Sequence, residues 1–163
     1  MIHQVSLPIP QKTGPGDHDG PADLLRLINV WATWCGPCVQ EFPELVATAR
    51  RFDMRDFEFI SLSADQPSDT AKVKAFLEKR NAGLSDRLQK SVKAGGRKTN
   101  SYIFTGTNPD ELMKAVDPQW PGGMPHTVLV DSNGEIVWRH NGVVDGDELR
   151  AKILEHLGNY YKP

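Results

Sequence analysis

The sequence has few of the features that indicate a disulfide-stabilised scaffold, a membrane-spanning protein or a nucleic-acid-binding protein. Only two cysteines occur among its 163 residues, Cys35 and Cys38, and a pair three positions apart cannot staple distant parts of a chain. No apolar run approaches the roughly 20 residues that a membrane-spanning helix needs. The formal net charge of −2 gives no electrostatic reason to expect nucleic acid as a partner.

The start of the chain also lacks a recognisable secretory signal, because no basic segment precedes an apolar core there. Residues 1–22 are instead rich in proline and glycine, and we expect a flexible lead-in. A chain whose signal had been removed would begin in the same way, so the compartment stays open. Length and composition predict one globular domain, which we place at residues 23–163 and expect to be a monomer.

Apolar spacing predicts alternating strands and helices in the first half of the chain. Leu24–Trp31 and Phe57–Ala64 are mostly apolar, as expected of strands that are buried on both faces of a sheet. Helical spacing runs from about Pro37 to Phe52, where Pro43 should kink the helix, and a second helix is predicted from Ser68 to Gly83. This alternation favours an α/β domain with parallel central strands.

In the second half of the chain, secondary structure is predicted less clearly for residues 84–120 than for the residues that follow them. Residues 84–120 have the least regular pattern, although Asn100–Gly106 predicts a short strand and Asn108 a helix N-cap. Two strand-like runs follow, separated by the turn Asp131–Gly134, which predicts a hairpin. Asp145 is the expected N-cap of a last helix.

The two cysteines lie where the first long strand passes into the first long helix. At a helix N-terminus, unpaired N–H groups and the helix dipole stabilise a thiolate, and such sites lower a cysteine pKa from about 8.5 to roughly 3.5–7.5. Cys35 is therefore the candidate nucleophile, and Cys38, one turn later, can close an internal disulfide that releases a bound partner. Pro37 fixes the first helical turn, and Gly36 lets another chain approach closely.

Two other interpretations of the cysteine pair are weaker. Two inert buried cysteines are disfavoured by the strand-to-helix junction and by the neighbouring Trp34. A structural zinc site needs further ligands, and the five histidines are scattered without close spacing. We therefore expect redox chemistry of the cysteines, with no metal and no other cofactor.

Three parts of the sequence resemble the thioredoxin superfamily, and more closely its TlpA/ResA-like branch of thiol–disulfide oxidoreductases: the motif Trp31–Cys38, the helical Pro43 and the segment Gly123–Gly142. The resemblance covers Leu24–Leu157. It implies a thioredoxin fold, with a central mixed β-sheet flanked by helices. Residues 84–120 would be an insertion between the second strand–helix unit and the strand that carries a cis-proline.

The resemblance also implies roles for individual residues. Cys35 attacks and Cys38 resolves, in agreement with the chemistry expected at the helix junction. Pro125 is the cis-proline that faces the disulfide, and the backbone of Met124 pairs with an extended substrate peptide. Without the resemblance, Pro125 would be interpreted as a simple strand-entry proline. The expected substrate-binding residues are Trp34, Gly36, Pro37, Met124 and Pro125.

The sequence departs from thioredoxin itself at two single residues, in addition to the segment 84–120. Thioredoxins carry a buried aspartate on the strand before the motif, whereas this chain has Asn29, which cannot titrate. The TlpA/ResA-like branch instead carries a glutamate three residues after the second cysteine, and Glu41 matches it. Partly desolvated, Glu41 would have a raised pKa and act as a general acid or base; the alternative is a solvent-facing helix glutamate. Trp120 is expected to be a core or loop-anchoring residue, although it could instead line the substrate groove together with Met124. His126 is expected to be a partly exposed strand residue, and the alternative is that it perturbs the thiolate.

Three functions follow from these observations. The first is a thiol–disulfide oxidoreductase that reduces protein disulfides and is recharged by an upstream thiol donor. The second is a peroxidase of the peroxiredoxin type, although the proline that precedes the nucleophile in that family is missing before Ala32–Trp34. The third is a non-catalytic binding module, which would not need the cysteine pair. The sequence does not identify the substrate, the direction of electron flow or the compartment; the resemblance implies export, and a cytoplasmic location is the alternative.

Overall fold

The helices and strands follow the apolar pattern of the sequence, and a computed structural model describes them over residues 3–5, 24–83 and 100–158. A 3₁₀ turn, Pro67–Asp69, precedes the second helix. The elements in chain order are β1 (His3–Val5), β2 (Leu25–Trp31), α1 (Gly36–Arg51), β3 (Phe57–Ser63), α2 (Thr70–Lys79), β4 (Ser101–Phe104), α3 (Pro109–Val116), β5 (His126–Val130), β6 (Ile136–Asn141) and α4 (Gly146–Leu157).

The strands form one mixed sheet in the order β1-β4-β3-β2-β5-β6. β1, β4, β3 and β2 run parallel to their neighbours, whereas β5 is antiparallel to β2 and β6 is antiparallel to β5. Every residue of β2 and β3 is buried, as their apolar sequences predict. The predicted α/β architecture, a central mixed sheet flanked by helices, is confirmed.

The sheet separates two apolar clusters. Because side chains alternate along a strand, Leu27 and Trp31 of β2 pack with α1, α2 and α4, whereas Ile28 and Val30 pack with α3. The same alternation directs Asn29 toward the face that α1 covers. A polar residue therefore lies in the middle of the first apolar face, in a strand that is otherwise suited to burial.

The largest differences from the predicted boundaries concern β1 and α2. His3–Val5 pair in parallel with β4, so the expected flexible lead-in contains a strand, and residues 1–2 and 6–23 lie outside the described residues. The second helix begins with the turn Pro67–Asp69 and ends at Lys79 instead of reaching Gly83. Asn81 has a φ of 53°, a left-handed conformation that commonly follows a helix end and here stops α2 early.

The irregular stretch 84–120 is described from residue 100 onward. Its predicted strand and helix are both present, and β4 lies inside the sheet, between β1 and β3. Leu112 and Val116 of α3 are buried in the second apolar cluster. Residues 100–116 are thus part of the main architecture, and the view of 84–120 as an insertion stays a prediction.

The predicted caps are confirmed by hydrogen bonds. The Asn108 side chain accepts from the N–H of Asp110 at 3.0 Å, and the Asp145 side chain accepts from the N–H of Glu148 at 2.8 Å. The hairpin turn closes where the N–H of Gly134 donates to the carbonyl of Asp131 at 3.0 Å. Within the three described ranges, no helix combines the length and the apolar composition needed to cross a membrane.

Replacing Phe42 tests the packing between α1 and the sheet. Its ring is fully buried, with its centroid 4.8 Å from that of Trp31 and 5.3 Å from that of Phe76. We expect Phe42→Ala to lower the free energy of unfolding by about 3–5 kcal/mol in urea denaturation, because it leaves a cavity. Gln40→Ala, on the exposed side of the same helix, should change it by less than about 0.5 kcal/mol. A loss below about 1 kcal/mol for Phe42→Ala would contradict this packing.

Candidate active site

The two cysteines occupy the junction that the sequence predicts. β2 ends at Trp31, and Cys35 is the N-cap of α1. A disulfide joins Cys35 to Cys38, with the Cα atoms 5.2 Å apart, so the structure represents the oxidised form. The sulfur of Cys35 also accepts a hydrogen bond from the N–H of Cys38 at 3.3 Å. This N–H donor and the positive end of the helix dipole would stabilise a thiolate on Cys35 after reduction.

The surroundings of the disulfide are asymmetric. Cys35 is 7% exposed and Cys38 is fully buried, so Cys35 is the more exposed of the two cysteines. Trp34, immediately before it, is 65% exposed. Gly36 and Pro37 are also exposed, and a Cβ built on Gly36 would meet no atom within 4 Å. The predicted contact residues in the motif therefore form an open surface beside Cys35.

A buried carboxylate, which sequence reasoning missed, holds the loop that leads to Cys35. Asp65 accepts from the N–H of Thr33 at 2.9 Å and from the Thr33 hydroxyl, and it accepts from the Ser63 hydroxyl at 2.7 Å. Asp65 follows β3, which pairs in parallel with β2. Asp65 and Thr33 therefore lie at the same edge of the sheet. The sequence shows only that a polar residue, Asp65, comes just after a buried strand. It does not show that Asp65 pairs with Thr33, two residues before Cys35.

The predicted cis-proline lies at the same edge of the sheet. The Met124–Pro125 peptide bond is cis. In the antiparallel register of β2 and β5, His126 pairs with Val30, so Pro125 lies beside the end of β2, where the cysteine loop departs. Pro125 is buried, Met124 is half-buried, and the carbonyl of Pro125 accepts from the N–H of Gly142 at 2.8 Å.

Glu41 lies on the buried face of α1, one turn after Cys38. Its Oε1 accepts from the Asn29 side-chain amide at 2.9 Å, and its Oε2 accepts from the N–H of Val144 at 2.9 Å. The alternative of a solvent-facing glutamate is therefore wrong, because the residue is only 2% exposed. Burial raises the pKa of Glu41 above its ordinary 4.5; the hydrogen bonds from Val144 and Asn29 oppose this rise without cancelling it.

Asn29 connects this carboxylate to the strand that follows Pro125. Its amide nitrogen donates to Glu41 and also to the hydroxyl of Thr127 at 3.0 Å. Asn29 and Thr127 are directly paired across β2 and β5. Where thioredoxins carry a titratable acid, this chain thus has a neutral donor that holds the acid of α1 in place.

The expectations for two aromatic side chains had opposite outcomes. His126 is fully buried, so the prediction of partial exposure is wrong; its ring is covered by Trp120, stacked at a centroid distance of 4.7 Å. Trp120 is buried, and its indole N–H donates to the carbonyl of Gly123 at 2.9 Å, which confirms the loop-anchoring role. The strand pattern alone could not show that a helix end and a loop would cover His126.

Residues 24–83 and 100–158 hold no group of three or more His, Cys, Asp or Glu side chains arranged as metal ligands. The slightly exposed Cys35, the buried Cys38 and the buried carboxylate of Glu41 lie on α1 and at its N-terminus, an arrangement that can support thiol–disulfide exchange.

Comparison with known proteins agrees with this geometry. A family model described as Redoxin matches residues 25–155. The thiol-disulfide oxidoreductase ResA of Bacillus thuringiensis subsp. konkukian is 25% identical over 130 residues, which are 80% of this chain and 60% of that protein. The thiol:disulfide interchange protein HelX of Rhodobacter capsulatus is also 25% identical over 130 residues, 79% of this chain and 58% of HelX. The predicted resemblance to ResA-like oxidoreductases of the thioredoxin superfamily is confirmed.

Solved structures show the same fold. The thioredoxin domain of a thiol-disulfide oxidoreductase from Bacteroides vulgatus superposes with a TM-score of 0.60 at 20% identity, covering 83% of this chain and 80% of that one. The thioredoxin fold is thereby confirmed. The chain spans about 60% of the length of the curated ResA relatives that it matches.

The raised pKa of Glu41 predicts a pH-dependent stability. The folded state binds the Glu41 proton more tightly than the unfolded chain does, so the stabilisation is fully present below the ordinary pKa of 4.5 and is lost as pH rises through the raised value. Glu41→Gln removes this loss of stability with rising pH, because glutamine does not titrate. In urea unfolding of the oxidised protein, we expect the stability of the wild type relative to Glu41→Gln to fall from acid to neutral pH. A difference that is constant, or that grows in favour of the wild type, would contradict the raised pKa.

Proposed function

The chain belongs to the Redoxin family, and from this premise we propose that it is a thiol–disulfide oxidoreductase that reduces protein disulfides. One observation carries the proposal: the disulfide at the N-terminus of α1 joins Cys35, which is slightly exposed, to Cys38, which is fully buried. Such an arrangement separates an attacking thiolate from a resolving thiol. The names of the ResA and HelX relatives support the same reaction.

The reaction begins with the reduced dithiol. The Cys35 thiolate attacks one sulfur of the substrate disulfide, a mixed disulfide forms, and the other substrate sulfur leaves as a thiolate that takes up a proton. The position of Cys35 at the helix N-terminus, with the N–H of Cys38 directed at its sulfur, favours the thiolate that this step needs.

Resolution then requires Cys38 to lose its proton inside the protein. We assign the proton acceptor to Glu41, which is buried one turn away and whose pKa is raised by that burial, so that its carboxylate is a stronger base than an exposed one. The Cys38 thiolate attacks the sulfur of Cys35, the internal disulfide forms, and the second substrate sulfur leaves as a thiolate. This thiolate takes up a proton from water, and Glu41 returns to water the proton that it accepted. The substrate disulfide has then gained two electrons and two protons, and an external thiol donor must reduce the protein again.

The substrate would bind across the open surface beside Cys35. Trp34, Gly36 and Pro37 offer contact area there, and the backbone at Met124 next to Pro125 would pair with an extended peptide. Main-chain pairing suits protein substrates of many sequences, because it does not depend on particular side chains. The exported location implied by the family resemblance stays a prediction for this chain.

Trapping the mixed disulfide tests the assignment of the two cysteines. We expect the reduced wild type to reduce insulin disulfides and Cys35→Ser to lose this activity, because no accessible nucleophile is left. Cys38→Ser should instead form a stable adduct with the substrate on Cys35, visible on a non-reducing gel and removed by dithiothreitol. Adduct formation by Cys35→Ser but not by Cys38→Ser would reverse the roles. A wild type that reduces no disulfide would favour a binding module.

Replacement of Glu41 tests its role in proton transfer. We expect Glu41→Gln to slow resolution of the mixed disulfide by about 100-fold at neutral pH and to remove the step that Glu41 contributes to the pH–rate profile. Glu44→Gln is the matched control, because Glu44 is one turn further along α1 and pairs with Arg150 on the surface. It should keep the wild-type profile. An unchanged rate and profile in Glu41→Gln would exclude this role.

A further inference from the structure

The segment Pro121–Met124, which leads into Pro125, has little structure of its own. It belongs to no helix or strand, and its two central residues are Gly122 and Gly123, with φ of 99° and 84°. Glycine loses more conformational freedom on folding than other residues, so such a segment keeps one shape only when other groups hold it. Under the proposed function, this segment presents the backbone that a substrate peptide pairs with.

Two side chains hold the carbonyls of this glycine pair. The indole N–H of Trp120 donates to the carbonyl of Gly123 at 2.9 Å, and the side-chain amide of Asn141 donates to the carbonyl of Gly122 at 3.2 Å. One side chain precedes the segment and the other lies at the end of β6. The shape of the segment therefore depends on the positions of these two donors.

Both donors contact the same buried histidine. The ring of His126 stacks on Trp120 with an interplanar angle of 6°, and its Nδ1 lies 3.1 Å from Oδ1 of Asn141. The other ring nitrogen, Nε2, donates to a carboxylate oxygen of Asp117 at 2.9 Å. His126 thus uses one ring face and both nitrogens, and its full burial keeps it from contacting a substrate directly.

Asp117 in turn is a buried carboxylate with several donors. Arg139 donates to it from Nε at 2.9 Å and from Nη2 at 3.3 Å, and the N–H of Gln119 donates at 2.9 Å. Burial acts to raise the pKa of Asp117, but the hydrogen bonds from Arg139 and His126 outweigh it and keep the pKa below its ordinary value. The carboxylate is therefore a fixed anionic anchor for His126.

This cluster lies on the side of the sheet opposite to the cysteine helix. His126 and Val128 share the face that α3 covers, whereas the intervening Thr127 points to the other face and accepts from Asn29. The cluster consequently acts on the segment before Pro125, with the sheet between it and the sulfur atoms.

We propose that the Asp117–His126–Arg139 cluster positions the segment Pro121–Pro125 for pairing with a peptide, and so sets a preference for protein disulfides over small disulfides. The proposal rests on the proposed oxidoreductase function and adds a determinant of its substrate class. His126 is a positioning residue in it, because it acts through Trp120 and Asn141. A small aromatic disulfide needs access to Cys35 but no pairing with the segment.

The test compares two substrates in His126→Phe. Phenylalanine keeps a ring against Trp120 but loses both hydrogen bonds of His126. We expect kcat/KM for insulin to fall about tenfold, mainly through a higher KM, as the loss of well-placed hydrogen bonds would produce. The rate with the small disulfide 5,5′-dithiobis(2-nitrobenzoate) should stay within about twofold of the wild type, since its reaction needs only the cysteines.

Two milder variants keep the test decisive if His126→Phe does not fold. Trp120→Phe removes the donor to Gly123 and keeps an aromatic ring, while Asn141→Ala removes an exposed side chain that holds Gly122. Each should lower the insulin-to-small-disulfide rate ratio about tenfold. Lys114→Ala is the control, because Lys114 is an exposed cation on the same helix that ends before Asp117, and its ratio should not change.

The outcomes separate this proposal from the proposed function. An unchanged rate ratio in folded Trp120→Phe and Asn141→Ala would overturn the positioning role. An equal fall with both substrates would overturn it as well, because the damage would then lie at the cysteines. A wild type that is inactive toward both disulfides would overturn the oxidoreductase function itself, and the substrate preference with it.

Discussion

The antiparallel pairing of β2 with β5 is the constraint on which the candidate site depends. Its register sets Asn29 opposite Thr127 and places Pro125 beside the end of β2, where the cysteine loop begins. A slip of one residue would turn Asn29 to the other face of the sheet, away from Glu41. The redox motif, the cis-proline and the buried acid are distant in sequence, and this single pairing brings them to one edge.

The site is built largely from buried polar groups, which cost free energy unless they are hydrogen-bonded. Four carboxylates are buried in the described part of the chain, and one of them, Glu58, pairs with Arg26. The other three, Glu41, Asp65 and Asp117, lie near the candidate site, and each accepts hydrogen bonds from named donors. Their surroundings differ in charge. Asp117 has a guanidinium partner and a lowered pKa, whereas Glu41 has only neutral donors in contact and a raised pKa. The first arrangement suits an anchor and the second suits a proton acceptor.

Most of the fold was predictable because local rules and tertiary packing agree. The strands β2 and β3, the hairpin and the caps at Asn108 and Asp145 follow from short patterns, and each was found where predicted. The errors have physical causes. No local sequence pattern predicts the strand His3–Val5, since this strand depends on pairing with β4. The burial of His126 depends on Trp120 and Asp117, which reach it from outside its own strand.

The sequence by itself located the candidate redox centre, because two cysteines one turn apart at a strand-to-helix junction form a local pattern that needs no distant partner. It also identified Glu41 as a candidate, but not its burial, since a helix glutamate is usually exposed. Tertiary structure alone decided that Asn29 and Val144 would hold that carboxylate. It likewise decided that Asp117 and Arg139 would anchor His126 beneath the cis-proline segment. These contacts join residues on different elements, and no spacing along one element encodes them.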